Sequence, residues 1–249
     1  MTMLSLAKMV PTAISSLMGT VVGVFNPQIT IAYAEDNTEN LVKIIKSCNR
    51  ILIFIMSIPI AFLTAYGRDF YAMWQPTKDA DMLQRLSLLA VGVLYVSMSI
   101  QVLYHVFIIT KKVKWNSLVV LGSGICSSLL SLILLSKTDL GVACFPLSSM
   151  LTGVLRNMIF TPIYAARCLE IRWNRFYSDI FLGFASIGTI TVLGLLSRMI
   201  VPIHSWIILL LTGVVMGPLA LLVNFFVILR KQERNMVIGM VRSRLKGEA

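Results

Sequence analysis

The sequence predicts an all-α polytopic membrane bundle, and three observations lead there. Seven long apolar stretches run through the 249 residues, hydrophobic residues make up 57% of the chain against 13% charged, and basic residues gather in alternate intervening segments. Most of the stretches hold the ~20 apolar residues that a helix needs to cross a hydrocarbon core ~30 Å thick. The spans fall at residues 9–34, 51–67, 86–110, 117–136, 141–165, 180–200 and 206–229, followed by a basic tail over 230–249.

Charge sets the orientation, because Lys and Arg are retained on the cytoplasmic side of short loops. With a cytoplasmic C-terminus, 15 of the 22 basic residues lie inside, six lie outside and Arg156 falls within a span. The inner segments then carry Lys43, Lys46 and Arg50, next Lys111, Lys112 and Lys114, then Arg167, Arg172 and Arg175, and finally the tail. The N-terminus is expected outside, in a multi-pass protein of the cell (inner or plasma) membrane. This distribution also accounts for the net charge of +11 and the pI near 9.8, which in a soluble domain would point to nucleic acid. Membrane lipids are the expected partner, and nucleic acid is not.

In the first span, Thr12, Ser16, Gly19, Thr20, Gly23, Pro27 and Thr30 recur at steps of three and four, so one helix face is small or polar throughout. Such a face either packs closely on another helix or lines a water-filled cavity, and close packing is expected for Gly19 and Gly23. For Asn26 and Gln28, beside the helix-breaking Pro27, both readings stand open, and both residues are candidates for a substrate pathway. The span is too long, and too often interrupted by polar residues, for a signal peptide.

A basic amphipathic stretch over residues 41–50 precedes the second span, which contains Pro59. The third span carries Gln101, Tyr104 and His105. His105 has the pKa range for a proton relay, although an interfacial side chain is the expected reading. Close packing is expected again in the fourth span, through Gly124, Ser127, Ser128 and Ser131, and in the seventh, through Gly213 and Gly217. The tail has two readings, a basic amphipathic segment lying on anionic headgroups and a disordered positive-inside tail.

Arg156, beside Asn157 in the fifth span, is the sharpest single residue. A guanidinium at bilayer depth costs at least ~2.5 kcal/mol on insertion scales, so it faces the bundle interior and finds a partner. One reading is a cationic cavity group that binds the phosphates of an anionic substrate; the other is a structural partner to a carboxylate or to backbone carbonyls. No Asp or Glu lies in the central part of any span, so an internal carboxylate is scarce.

Trp74, Trp115, Trp173 and Trp206 all sit beside predicted span ends, where amphipathic rings prefer the interface. Cys48, Cys126, Cys144 and Cys168 form no metal or disulfide pattern. There is no Ser/His/Asp arrangement, phosphate-cradling glycine loop or metal-spaced cluster, so no catalytic residue, metal or cofactor is expected and the chain does not read as an enzyme. Seven spans also describe the rhodopsin-like and receptor architectures, but residues 206–229 contain no Lys for a retinal Schiff base.

The order of local features is more specific. Pro27 stands in a span ending at Glu35, Asp36 and Glu39, then comes the basic stretch to Arg50, then Pro59, Gly67, and an outer Tyr71 and Trp74. Further on stand the Lys111, Lys112, Lys114 and Trp115 turn, and the Leu140, Gly141 entry to a span with Ser148 and Ser149. This succession, over roughly residues 21–230, resembles the multidrug, oligosaccharidyl-lipid and polysaccharide exporter superfamily, particularly its polysaccharide biosynthesis proteins resembling O-antigen and lipid-linked repeat-unit flippases.

The resemblance implies two helical lobes of about fourteen spans, of which this chain corresponds to the last seven, with Met1 an internal methionine. It implies translocation of a polyprenyl-pyrophosphate-linked oligosaccharide by alternating access, with a missing N-terminal lobe as partner. No family motif carries Arg156. Two alternatives stand beside it. A multidrug and toxin extruder of the same fold is expected to need acidic cavity groups, and a non-transporting remnant or subunit is expected to work only with a partner.

Overall fold

A backbone amide inside a bilayer has no water to bond, so apolar runs of this length close their hydrogen bonds within themselves as helices. The computed structural model describes residues 2–229 and Arg234, and the proposed behaviour of the remaining tail lies outside the described residues. The helices are α1 (Met3–Ala34), α2 (Thr38–Trp74), α3 (Ala80–Ser97), α4 (Leu103–Ile109), α5 (Val113–Lys137), α6 (Cys144–Leu155), α7 (Thr161–Cys168), α8 (Tyr177–Ile200) and α9 (Trp206–Val227). A 3₁₀ turn, Gly141–Ala143, leads into α6, and a π-helical turn, Arg156–Phe160, joins α6 to α7. Among the described residues, seven segments are long and apolar enough to cross a membrane, with Gly141–Cys168 counting as one of them. The chain is an all-α polytopic membrane bundle.

Side-chain oxygens start several helices by taking a first-turn amide that would otherwise lack a partner. Thr2 caps α1, Asn37 caps α2, Asp79 caps α3 and Ser205 caps α9. At the opposite ends, α4 and α7 close in the same way. Lys111 and Glu170 adopt left-handed backbone, with φ of 56° and 57°. The Lys112 amide then bonds the Phe107 carbonyl at 3.0 Å, and the Ile171 amide bonds the Ala166 carbonyl at 3.0 Å. These are Schellman closures made without glycine.

α2 is the central pillar, packed against α1, α3, α8 and α9, while α6 packs on α3 and carries α5 at the margin. Pairs along α2 and α8 share one register: Arg50 with Asp179, Ser57 and Ser186 through Asn224, and Asp69 with Arg198, the last pair 129 residues apart. The same offset throughout means that the two helices run parallel. Leu52, Ile53 and Ile60 of α2, Leu83 and Leu86 of α3 and Ile180 of α8 are the apolar filling.

Three sequence-based boundaries change. The amphipathic stretch 41–50, placed before the second span, is continuous with it as the start of α2, with Leu41, Val42, Ile45 and Arg50 buried against other elements. At ~1.5 Å per residue, the 37 residues of α2 exceed the ~30 Å hydrocarbon core, so its ends extend beyond it. Pro27 lies inside α1, which ends at Ala34 as the span 9–34 predicts. The span at 86–110 is interrupted after Ser97, where amides bond carbonyls three residues back, as in Ser99 to Val96 and Ile100 to Ser97. The span at 141–165 contains the π turn.

The glycines expected to pack are not those that do. A Cβ at Gly19, Gly23, Gly124 or Gly217 would meet nothing within 4 Å, and at Gly213 only Phe62 at 3.7 Å. Close approach occurs instead at Gly183, where a Cβ would lie 2.1 Å from Ser99 Oγ, at Gly194, 2.8 Å from Ala65 Cβ, and at Gly92, 2.4 Å from Met150 Sδ.

Overpacking a close contact costs about 1–3 kcal/mol, whereas Ala replaces Gly in an open helix interior with a gain of up to about 1 kcal/mol. Gly183→Val is therefore expected to lower the melting temperature in detergent by several degrees. Gly23→Ala is expected to leave it unchanged or raised, as followed by thermal unfolding of both variants.

Candidate functional site

Asn157 is the organising side chain of the membrane interior. It sits in the π turn, 1% exposed, and its amide faces the interrupted stretch between α3 and α4. Its Nδ2 donates to Ser97 Oγ at 2.8 Å, and its Oδ1 accepts from Tyr104 OH at 2.8 Å and from Arg156 Nε at 3.2 Å. Ser97 and Tyr104 flank the tightened stretch, so one amide clamps both of its ends. The opposing segment is loosened, with the Thr161 amide reaching back five residues to the Arg156 carbonyl. The Met158 carbonyl in this turn accepts from Tyr177 OH at 2.9 Å. An overwound stretch therefore faces an underwound one, an arrangement that frequently marks functional sites.

Arg156 is half-buried, and it donates to Ser123 Oγ of α5 at 3.3 Å in addition to its bond with Asn157. Both partners are neutral. Among the described residues no carboxylate forms an ion pair with this guanidinium. Its charge is thus solvated by polar dipoles but not cancelled.

The other sequence candidates divide. His105 is half-buried on α4, one residue from Tyr104, and its Nε2 shares a hydrogen bond of 3.0 Å with Thr30 Oγ1 on α1. Asn26, one turn before Thr30, gives its backbone carbonyl to the same hydroxyl at 2.9 Å. Gln101 is half-buried in the interrupted stretch itself. The structure thus brings Arg156, Asn157, Gln101, His105 and Asn26 around one irregular segment. Gln28 is exposed on the far side of α1 and does not join them.

On the outer side of this segment, α1, α3 and α6 enclose an open cavity of about 340 Å³ lined by Lys8, Thr12, Ser16, Ser149 and neighbouring apolar residues. The Ser16 and Thr20 hydroxyls bond carbonyls four residues back in α1, at 3.0 and 3.1 Å, so this face is satisfied without a partner helix.

Two further polar clusters hold α8 and α9 to α2. Asp179, fully buried at the start of α8, has Arg50 Nε at 4.0 Å and Asn49 Nδ2 at 3.5 Å. Asn224, fully buried in α9, donates to Ser57 Oγ at 2.7 Å and to the Phe54 carbonyl at 3.1 Å, and accepts from Ser186 Oγ at 2.7 Å. Asn224 is the one amide side chain in the span 206–229, a signal that could have singled it out.

Removing the Asn157 amide takes the acceptor from the Tyr104 hydroxyl, while Ser97 keeps its bond to the Val93 carbonyl, and an unsatisfied buried polar group costs about 1–3 kcal/mol. Asn157→Ala is expected to destabilise by that order in thermal unfolding. Arg156→Gln, which retains a hydrogen-bonding side chain, is expected to change stability by under about 1 kcal/mol.

No protein-family model matches the chain, and no solved structure matches it. The chain is 25% identical over 232 residues to a protein of Bacillus subtilis (strain 168) called "Uncharacterized membrane protein EpsK", an alignment that covers 93% of this chain and 46% of that relative. The chain therefore spans about half the length of the curated relative it matches. Seven apolar helices and a membrane-protein relative make this chain a multi-pass membrane protein.

Proposed function

We propose that this chain forms one lobe of a flippase that moves a polyprenyl-pyrophosphate-linked oligosaccharide across the membrane by alternating access. The observation that carries this reading is Arg156, a guanidinium within a membrane span with neutral partners Ser123 and Asn157. A pyrophosphate is the group such a cation attracts, and in a low-dielectric site a charge-assisted contact is about twice as strong as a neutral one. Support comes from the order of local features along the chain, which resembles that of the flippases. A relative twice as long adds room for a second lobe opposite this one.

In this reading the hydroxyl-lined cavity beside α1 and the open faces of Gly19 and Gly23 border the passage that the second lobe completes. Asn157 is a positioning residue that holds Arg156 and the tightened stretch in one geometry. Rocking of one lobe against the other exposes the cationic site to each side in turn. A multidrug extruder would need a carboxylate open to a cationic substrate. Asp179, the buried carboxylate at the inner end, is instead engaged by Arg50, Asn49 and Ser178.

The test is complementation of a strain lacking its repeat-unit flippase, with the chain joined to an N-terminal lobe from a related flippase. Surface polysaccharide is expected to return with the native residue, to fall at least tenfold with Arg156→Leu, and to recover partly with Arg156→Lys. Unchanged export by the leucine variant at equal membrane abundance excludes the phosphate role.

A further inference from the structure

A second cationic site lies at the basic end of the bundle, where the start of α5 meets the end of α7. Lys112, Lys114 and Arg167, with Trp115, Tyr164 and Cys168, line a cavity of about 370 Å³. That volume is within the range of about 300–1,000 Å³ typical of small-ligand sites. The backbone there is fixed rather than left to the loop: the Schellman closure at Lys111 turns the chain, and Tyr164 OH donates to the Lys112 carbonyl at 2.9 Å. Tyr164 is itself held by stacking on Phe160, ring centroids 5.0 Å apart, and by Phe107 at 5.1 Å.

Charge sets this cavity apart. Another cavity at the same end holds Arg172 and Arg175, but Glu39 and Glu170 line it too, so its cations already face carboxylates. Around Lys112, Lys114 and Arg167 no carboxylate lines the cavity, and among the described residues none pairs with them. Three like charges sharing one concavity repel one another, and an anion relieves that cost. α5 also begins without a side-chain cap, so its first-turn amides add partial positive charge on the same side.

The surroundings indicate where the anion comes from. α5 is the span least covered by the rest of the chain, and Trp115 is 62% exposed at its first turn, the position an interfacial indole takes at headgroup depth. We propose that this cavity binds the phosphate headgroup of an anionic membrane lipid in the leaflet on the basic side. Lys112 and Lys114 act as point charges, Arg167 takes two phosphate oxygens, and Trp115 lies along the glycerol and upper acyl region. The site stands independently of the transport reading, because it uses none of the residues around Arg156.

The test is lipid binding by the purified full chain in detergent, titrated with dioctanoyl phosphatidylglycerol, dioctanoyl phosphatidylcholine or inorganic pyrophosphate and read by native mass spectrometry and thermal shift. Phosphatidylglycerol is expected to bind at least tenfold more tightly than phosphatidylcholine. The combined variant Lys112→Ala, Lys114→Ala, Arg167→Ala is expected to lose at least tenfold in that affinity. A charge-matched control, Lys43→Ala, Arg172→Ala, Arg175→Ala, is expected to lose less than twofold. Where the combined variant does not fold, Lys112→Gln and Arg167→Gln taken singly are each expected to weaken binding about threefold. Equal losses in pocket and control variants, or no loss in either, overturn the site, and pyrophosphate binding as tightly as phosphatidylglycerol overturns the lipid assignment.

Discussion

The parallel register of α2 and α8 is the contact on which the rest of the bundle is built. Lipid tails are as apolar as leucine, so apolar burial alone supplies little drive between helices in a bilayer. Closeness and polar matching have to supply it. Along α2 the matches come at Arg50, Ser57 and Asp69, about 10 Å and then about 18 Å apart at 1.5 Å per residue. Between them Gly183 and Gly194 let α8 approach the Met98 and Ser99 turn and Ala65. A slip of α8 by one residue separates all three polar matches at once and drives backbone onto side chains, so the register is over-determined. α9 is drawn into the same arrangement by Asn224, whose amide satisfies groups on both pillars.

Irregular backbone at membrane depth is tolerated only where protein covers it. The tightened stretch after α3 meets that condition: Met98, Ser99 and Ile100 are fully buried, with Gly183 of α8 packed directly on the turn. The π turn opposite is held from both sides, Asn157 bonding the tightened stretch and Tyr177 bonding the Met158 carbonyl. A segment with three-residue bonding rises more per residue than an α-helix, and a π turn rises less. Facing them across one amide lets a local change of pitch in one be absorbed in the other without breaking either span.

The spans were legible because hydropathy and length are properties of a single segment. What depends on two segments meeting was not. Gly19 and Gly23 have the spacing of a close contact, yet their face is open, while Gly183, Gly194 and Gly92 carry no comparable pattern and are the ones pressed against neighbours. The interruption after Ser97 was invisible, since residues 86–110 contain no charged residue and no proline, and their one glycine, Gly92, lies more than a turn before the break. Arg50 read as one more inner-loop charge because Asp179, its partner, lies 129 residues away at the edge of another span. Arg156 with Asn157, and Gln101 with His105, stand out in the sequence for being polar in apolar surroundings, and the fold supplies the fact that the two pairs are neighbours. Asn26 reaches the group only through a backbone carbonyl, and Gln28 does not reach it.

Arg50 and Arg156 are both withdrawn from water, and their partners differ in charge. Arg50 is 5% exposed beside a fully buried carboxylate, so the pair carries no net charge into the interior and serves to position α2 against α8. Removing one member of such a pair costs more than the pair contributes, and this makes it a register device. Arg156 is only half-buried and bonded to a serine and an asparagine, groups that orient a guanidinium without neutralising it. The absence of a carboxylate among its described partners leaves that charge uncancelled, and in the proposed reading the group that answers it is an anion that arrives and departs.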